Sequence, residues 1–244
     1  MSNIFYGIQK LTGYKISYGC DLSCHLNIIP NASINDVERY EDFKGIHLIR
    51  DSRDIVVSGY FSHLKTHPPM GWERMLKHRE NLKHVSMEEG FFLEMDWLEC
   101  YFNDMLNWNY ENHNILELRF ETITQVKDLQ QIIEFLNLHD DGFYEKTKYT
   151  TGRLINKINN KNILPFRVSD IKISKKKFQV VVNNNSFKKL SGGRVIGVED
   201  NNSHYRKGSS GDWKLYFNEK HKNYFKSKYG EILKKLKYEK DDVW

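Results

Sequence analysis

The run from residue 45 to residue 61 constrains this chain most. Gly45-Ile46-His47-Leu48-Ile49-Arg50 reads as a buried strand whose apolar residues lead straight into a polar turn, Asp51-Ser52-Arg53-Asp54. Ile55-Val56-Val57-Ser58-Gly59-Tyr60-Phe61 then begins a helix capped by the acidic turn residues. A strand feeding a helix across so short a turn is half of a βαβ unit. The alternation recurs: Asn114-Ile115-Leu116-Glu117-Leu118-Arg119-Phe120 reads as a second strand, and Val126, Leu129, Ile132, Ile133 and Leu136 mark an amphipathic helix after it. Strand and helix in alternation predict an α/β chain, with a central parallel sheet flanked by helices.

The remaining segments fill in that frame. Residues 4–15 read as a short helix. Ser86-Met87-Glu88-Glu89 is a capping-box pattern opening a helix to about Trp108, with Phe91, Met95, Leu98, Phe102 and Met105 as a core stripe. Residues 139–185, rich in Asn, Lys and Asp, read as loops and irregular helix around a ligand site, with a strand at Phe178-Gln179-Val180-Val181-Val182. Residues 191–212 read as a long Gly- and Ser-rich loop. The last helix is expected over about Asn218 to Leu236, with Phe225, Tyr229, Ile232, Leu233 and Leu236 facing the core. No internal repeat or long linker divides the 244 residues, so residues 1–244 are expected to form one domain.

Composition narrows the function classes. A net charge of +5 leans mildly toward anionic ligands, and basic residues alternate with carboxylates, which excludes a nucleic-acid footprint. No apolar stretch is long enough to span a membrane, and the first residues lack the basic-then-apolar pattern of a secretory signal. Three cysteines, Cys20, Cys24 and Cys100, make no disulfide framework and fit a reducing, cytoplasmic setting. Cys20, Cys24 and His25 lie close together, but no second Cys or His cluster sits at partner spacing, so no metal is expected.

Three segments carry chemistry. A strand ending in Arg50, with Ser58 eight residues on in the following helix, can aim a guanidinium and a hydroxyl at one anion. Arginine suits this because its planar fork matches phosphate oxygens two at a time. The structural alternative is a strand-end Arg50 paired with Asp54. His204-Tyr-Arg206-Lys207-Gly208-Ser-Ser-Gly211-Asp212-Trp213-Lys214 sets two cations before a glycine, a loop able to wrap a phosphate with side-chain charge and backbone N–H groups. Asn185-Ser186-Phe187, followed by Gly192, Gly193 and Arg194, places a ring able to stack on a purine beside small polar residues. Alone that signal is weak, since a phenylalanine is more often core.

Together, and in this order, the segments resemble the PAPS-dependent sulfotransferases of cytosolic and bacterial type, over nearly the whole chain. That family sets an Arg at a strand end and a Ser eight residues on, and closes the site with Arg-Lys-Gly-x-x-Gly-Asp-Trp-Lys. The resemblance implies a P-loop-kinase-like sulfotransferase fold, PAPS as donor and PAP as product. It implies that Arg50, Ser58, Arg206, Lys207 and Gly208 hold the 3′-phosphate, and that Phe120, Ser186 and Phe187 flank the adenine. Arg119-Phe120-Glu121-Thr122 stands where the family has an Arg-Tyr-Glu-Asp-like turn, so a tyrosine hydroxyl is lost. A family His about two dozen residues before the strand-end Arg takes the acceptor proton, which points to His25, 25 residues before Arg50. His63 and His67 are candidates to line the acceptor pocket. The implied partner is a small-molecule acceptor with a hydroxyl or amine, with no nucleic acid and no membrane, and a homodimer is admitted.

One family element is not found. The Gly- and Thr-containing loop that cradles the 5′-phosphosulfate has no match; Lys10-Leu11-Thr12-Gly13 has two of the residue types but no preceding strand. The preferred expectation is a truncated chain. The alternative is a catalytically impaired protein that still binds PAP or PAPS, because leaving-group stabilisation is a large catalytic contribution. A P-loop kinase would need Gly-x-x-x-x-Gly-Lys-Ser/Thr, which the sequence lacks.

Overall fold

The computed structural model describes residues 2–68, 72–123, 126–140, 142, 146–159, 164, 166 and 168–244. The chain divides into two compact units, residues 1–49 with 109–190, and residues 50–108 with 191–244.

The first unit contains α1 (Ser2–Thr12), β1 (Ile16–Tyr18), β2 (Leu26–Ile28), α2 (Ile34–Val37) and β3 (Gly45–Ile49). After the excursion into the second unit it resumes with β4 (Ile115–Arg119), and α7 (Val126–Phe135), α8 (Lys146–Ile158), α9 (Lys175–Asn184) and α10 (Phe187–Leu190) follow. The strands are parallel, as the alternating pattern requires, but they form two pairs rather than one continuous sheet among the described residues. β1 lies on β2 with Ile16 opposite Leu26, and β3 lies on β4 with Ile49 opposite Arg119. Inside the second pair His47 faces Glu117, Nδ1 to Oε2 at 2.7 Å, so the strand histidine is occupied by a cross-strand carboxylate. The core gathers Ile8, Leu118, Ile132, Ile133, Ile171 and Phe178 from both helices and strands.

The expected strand at 178–182 is instead part of α9, and much of 139–185 is helix. The local reasons are visible. Ser174 caps α9 by accepting from the Lys177 amide at 3.4 Å, and Phe178 and Val182, four apart, are buried on one face. Val181 packs where Gly7 of α1 has no side chain; a Cβ there would collide with Val181 Cγ1. Close helix packing outweighs the β preference of three consecutive valines. The weak periodicity after α8 has a different origin. Asn156 donates to the Val168 carbonyl at 2.8 Å and accepts from the Val168 amide at 2.9 Å, and Asn159 does the same for Phe166 and Leu164 at 2.7 Å each. Buried amide side chains stand in there for a backbone ladder.

The second unit contains α3 (Ser52–Phe61), a π-helical turn (Ser62–Thr66), α4 (Glu73–Lys83), α5 (Met87–Trp97), α6 (Glu99–Asn107), α11 (Trp213–Tyr216) and α12 (Glu219–Lys235). The capping box at Ser86 forms as expected, with Glu89 accepting from the Ser86 amide at 3.0 Å. The single helix expected from there to Trp108 is two, divided at Leu98, and Phe91, Met95, Leu98 and Phe102 still line its buried side. α12 presents Phe225, Tyr229, Ile232, Leu233 and Leu236 to the core as the spacing requires. Among the described residues no helix is long and apolar enough to cross a membrane.

Candidate functional site

Arg50, Ser58, Arg206, Lys207 and Gly208 all belong to the second unit. Arg50 is the single residue between the end of β3 and Asp51, the cap of α3. Asp51 accepts from the Arg53 amide at 3.0 Å, which starts the helix directly after the arginine. Ser58 follows on α3, half-buried. Asp54, one turn into α3, accepts from the Gly211 amide at 2.6 Å and the Trp213 amide at 3.0 Å. The helix that begins at the phosphate arginine is thus stapled to the Gly-Asp-Trp that closes the loop. Asp54 is therefore not simply the strand-end partner of Arg50. Burial pushes its carboxyl above the usual range, opposed by the two amides and by the charge of Arg50.

The loop itself is held from both sides. Asp212, buried, receives Arg206 Nη2 on one oxygen and Lys207 Nζ at 2.6 Å on the other. Arg206 Nη1 also reaches Glu199 at 2.7 Å, and its guanidinium lies over the Phe61 ring, 4.7 Å from the centroid. Burial works to raise the Glu199 pKa, but hydrogen bonds from Arg206 and Tyr216 and the charges of Arg206 and Lys207 bring it below its ordinary value. Arg194 bridges the loop from beneath, donating to the carbonyls of Arg206 at 2.7 Å and Tyr205 at 2.6 Å. Gly208 and Gly211 take φ values of 69° and 87°, a left-handed backbone that residues with a Cβ avoid, and Gly211 thereby turns its N–H onto Asp54. Trp213 anchors the end of the loop by packing under Arg53, whose guanidinium sits 3.8 Å from its ring centre and 4.4 Å from that of Trp244.

The paired carboxylates leave capacity at the cations. A guanidinium carries five N–H donors and an ammonium three, so Arg206 and Lys207 keep donors beyond those given to Glu199 and Asp212. The site is a pre-positioned cationic loop beside a helix start, a setting suited to a phosphate dianion.

Phe120, Ser186, Phe187 and His25 belong to the first unit. Phe120 ends β4, its amide donating to the Ile49 carbonyl at 2.8 Å, and Ile49 is the residue before Arg50. Ser186 is exposed and donates its hydroxyl to the Asn183 carbonyl at 2.9 Å, while Phe187 is half-buried at the start of α10. His25 sits just before β2, stacked on Tyr14 at 4.7 Å with ring planes 3° apart. Its Nδ1 accepts from the Lys15 amide at 3.3 Å, so the neutral ring carries its proton on Nε2. Lys10 to Gly13 form the end of α1, where Thr12 is buried and donates to the Ile8 carbonyl at 2.9 Å.

Several residues of this site were not singled out in the sequence. Glu199 and Asp212 organise the cations, and Arg194 braces the loop. The signal for Asp212 was the Gly-Asp-Trp string; Glu199 and Arg194 gave none, because their partners depend on how the loop turns. A second group, His63 on the π-helical turn, His78 on α4 and Glu94 on α5, also converges only in the folded chain.

Comparison with known proteins agrees with this geometry. The family model described as "Sulfotransferase domain" matches residues 38–237. Mouse sulfotransferase SULT7A1, solved complexed with PAP, is similar in fold, with a TM-score of 0.58 and 17% identity over 97% of this chain and 81% of that chain. No curated protein matches the sequence. The strand-end arginine, the stapled Arg-Lys-Gly loop and a family match over most of the length agree: this chain is a member of the sulfotransferase family.

Proposed function

We propose that the protein transfers a sulfuryl group from PAPS to a hydroxyl or amine of a small-molecule acceptor, in a cytoplasmic setting and as a single sulfotransferase domain over residues 1–244. The observation that carries the reading is the Asp54 staple. It ties the Arg206–Lys207–Gly208 loop to the same helix that Arg50 precedes and Ser58 rides on.

In this reading Arg50, Arg206 and Lys207 hold the 3′-phosphate by charge, Ser58 donates its hydroxyl and Gly208 its amide. Glu199 and Asp212 keep the two loop cations oriented before any ligand arrives, which lowers the ordering cost of binding. Phe120 and Phe187 offer ring faces to the adenine, with Ser186 beside them. PAPS, when bound, supplies an activated sulfuryl group whose departure leaves PAP. His25 accepts the acceptor's proton as the new bond to oxygen or nitrogen forms; for Nδ1 to do so, the bond from the Lys15 amide has to give way.

Calorimetry with PAP tests the nucleotide half. Saturable binding by the wild-type protein and a loss of about 100-fold in Arg50→Ala are expected, the size of one charge-assisted bidentate contact. A folded protein that does not bind PAP, or an Arg50→Ala variant that binds it equally, sinks the proposal. Sulfate transfer from labelled PAPS to a panel of phenols, alcohols and amines then separates a working transferase from a nucleotide-binding relative.

A further inference from the structure

The second unit holds a buried group that the sulfotransferase reading does not use. Glu94 on α5 has no solvent exposure, and each of its oxygens faces one imidazole: His63 Nδ1 at 2.8 Å from Oε1 and His78 Nε2 at 2.8 Å from Oε2. The donor atoms all lie within 4.8 Å of one another. Among the described residues these two rings are the groups within hydrogen-bond or ion-pair distance of the carboxylate, and a buried anion facing two neutral rings is poorly compensated.

We propose that His63, His78 and Glu94 form a binding site for a divalent first-row transition ion of the Zn²⁺ class. Two imidazoles and one carboxylate are a donor set such ions take, with the remaining positions left to water. Ligand atoms about 2.1 Å from a common ion and at right angles stand about 3 Å apart, so the observed nitrogen–oxygen spacings need only a small opening to admit it.

The surroundings are built around this group. Gly59 of α3 lies against the carboxylate, and a Cβ there would collide with Glu94 Oε1. The π-helical turn widens the chain after α3 and carries His63; such turns recur at functional sites. Arg79 fixes the turn by donating to the carbonyls of His63, at 2.6 Å, and His67. Trp97 stacks on His78 at 4.3 Å with planes 15° apart, which orients the ring and keeps water from it. Fixing ligand orientation in this way is what the shell of a metal site supplies.

The test is titration of dialysed, chelator-treated full-length protein with ZnCl₂ by calorimetry, and with CoCl₂ followed by visible absorption. The expected result is one tight equivalent and a ligand-field band from Co²⁺. Glu94→Gln, which keeps the shape, and His63→Ala, at the more exposed edge, are each expected to weaken binding by about 100-fold or more while circular dichroism stays native. With ten histidines in the chain, adventitious surface binding is the control case. Absence of saturable binding by the folded wild type, or equal binding by Glu94→Gln and His63→Ala, overturns the site and leaves a hydrogen-bonded His–Glu–His group without an ion. PAP binding, measured on the same preparation, reports separately on the sulfotransferase reading.

Discussion

Replacing Asp54 with alanine removes the acceptor of two backbone N–H groups, Gly211 at 2.6 Å and Trp213 at 3.0 Å. Trp213 is buried, so at least one amide is left without a ready substitute from water. A hydrogen bond to a charged acceptor contributes about 1.5–3 kcal/mol net, which gives about 3–6 kcal/mol for two. Part of that is returned, because burial already disfavours the carboxylate and pushes its pKa up. The net loss should therefore lie near the lower end, about 3 kcal/mol. For a chain of this size each kcal/mol moves the melting temperature by about 2–4 °C, so Asp54→Ala should melt about 6–12 °C lower. Its PAP affinity should also fall, because the Arg206–Lys207 loop loses its tie to α3. Asp54→Asn keeps an oxygen for one amide and should fall between the two proteins. Differential scanning calorimetry with and without PAP reads both effects. An Asp54→Ala protein that melts within about 2 °C of wild type and binds PAP equally refutes the staple.

Arg53→Lys should destabilise by about 2–4 kcal/mol, seen as a lower urea midpoint, because an ammonium cannot both sit between Trp213 and Trp244 and serve Asp51 and Glu239. An unchanged midpoint would show that the charge alone matters. The Asp21 carboxyl, held down to about 2 chiefly by the Ser23 hydroxyl and also by Cys24 and the Ser23 amide, should titrate well below an ordinary aspartate in a carbon-detected NMR titration. A depressed carboxyl favours the folded state above the ordinary aspartate range, and that contribution should fade as pH falls toward about 2. Ser23→Ala should move the midpoint back up.

The phosphate half of the candidate site was legible because its parts are local. Arg50, the Asp51 cap and Ser58 follow one strand-to-helix junction, and the Arg-Lys-Gly loop runs straight into its tryptophan anchor. Hydrophobic periodicity likewise placed α7 and α12, where one face is apolar and the other charged. It failed where tertiary contacts decide. Phe178 to Val182 has a strand's composition, yet Gly7 gives Val181 a slot that only a helix fills. Asn156 and Asn159 looked like loop residues because an asparagine inside a helix carries no periodic signal, although their amides organise the segment after it. Glu94 was invisible for the same reason: it sits on the predicted helix beside the stripe of Phe91 and Met95, and its partners lie 16 and 31 residues away.

The π-helical turn at Ser62–Thr66 has a consequence for how this unit tolerates change in length. A π turn is an α-helical turn holding one residue more. Removing a single residue there would restore α geometry and rotate everything after it by about 100°. His63 would then keep its bearing from α3 while Arg79 and the carbonyl of His67 came out of register with it. A one-residue deletion at the turn would leave the helix intact and dismantle the histidine cluster, so in this stretch chain length itself encodes the site.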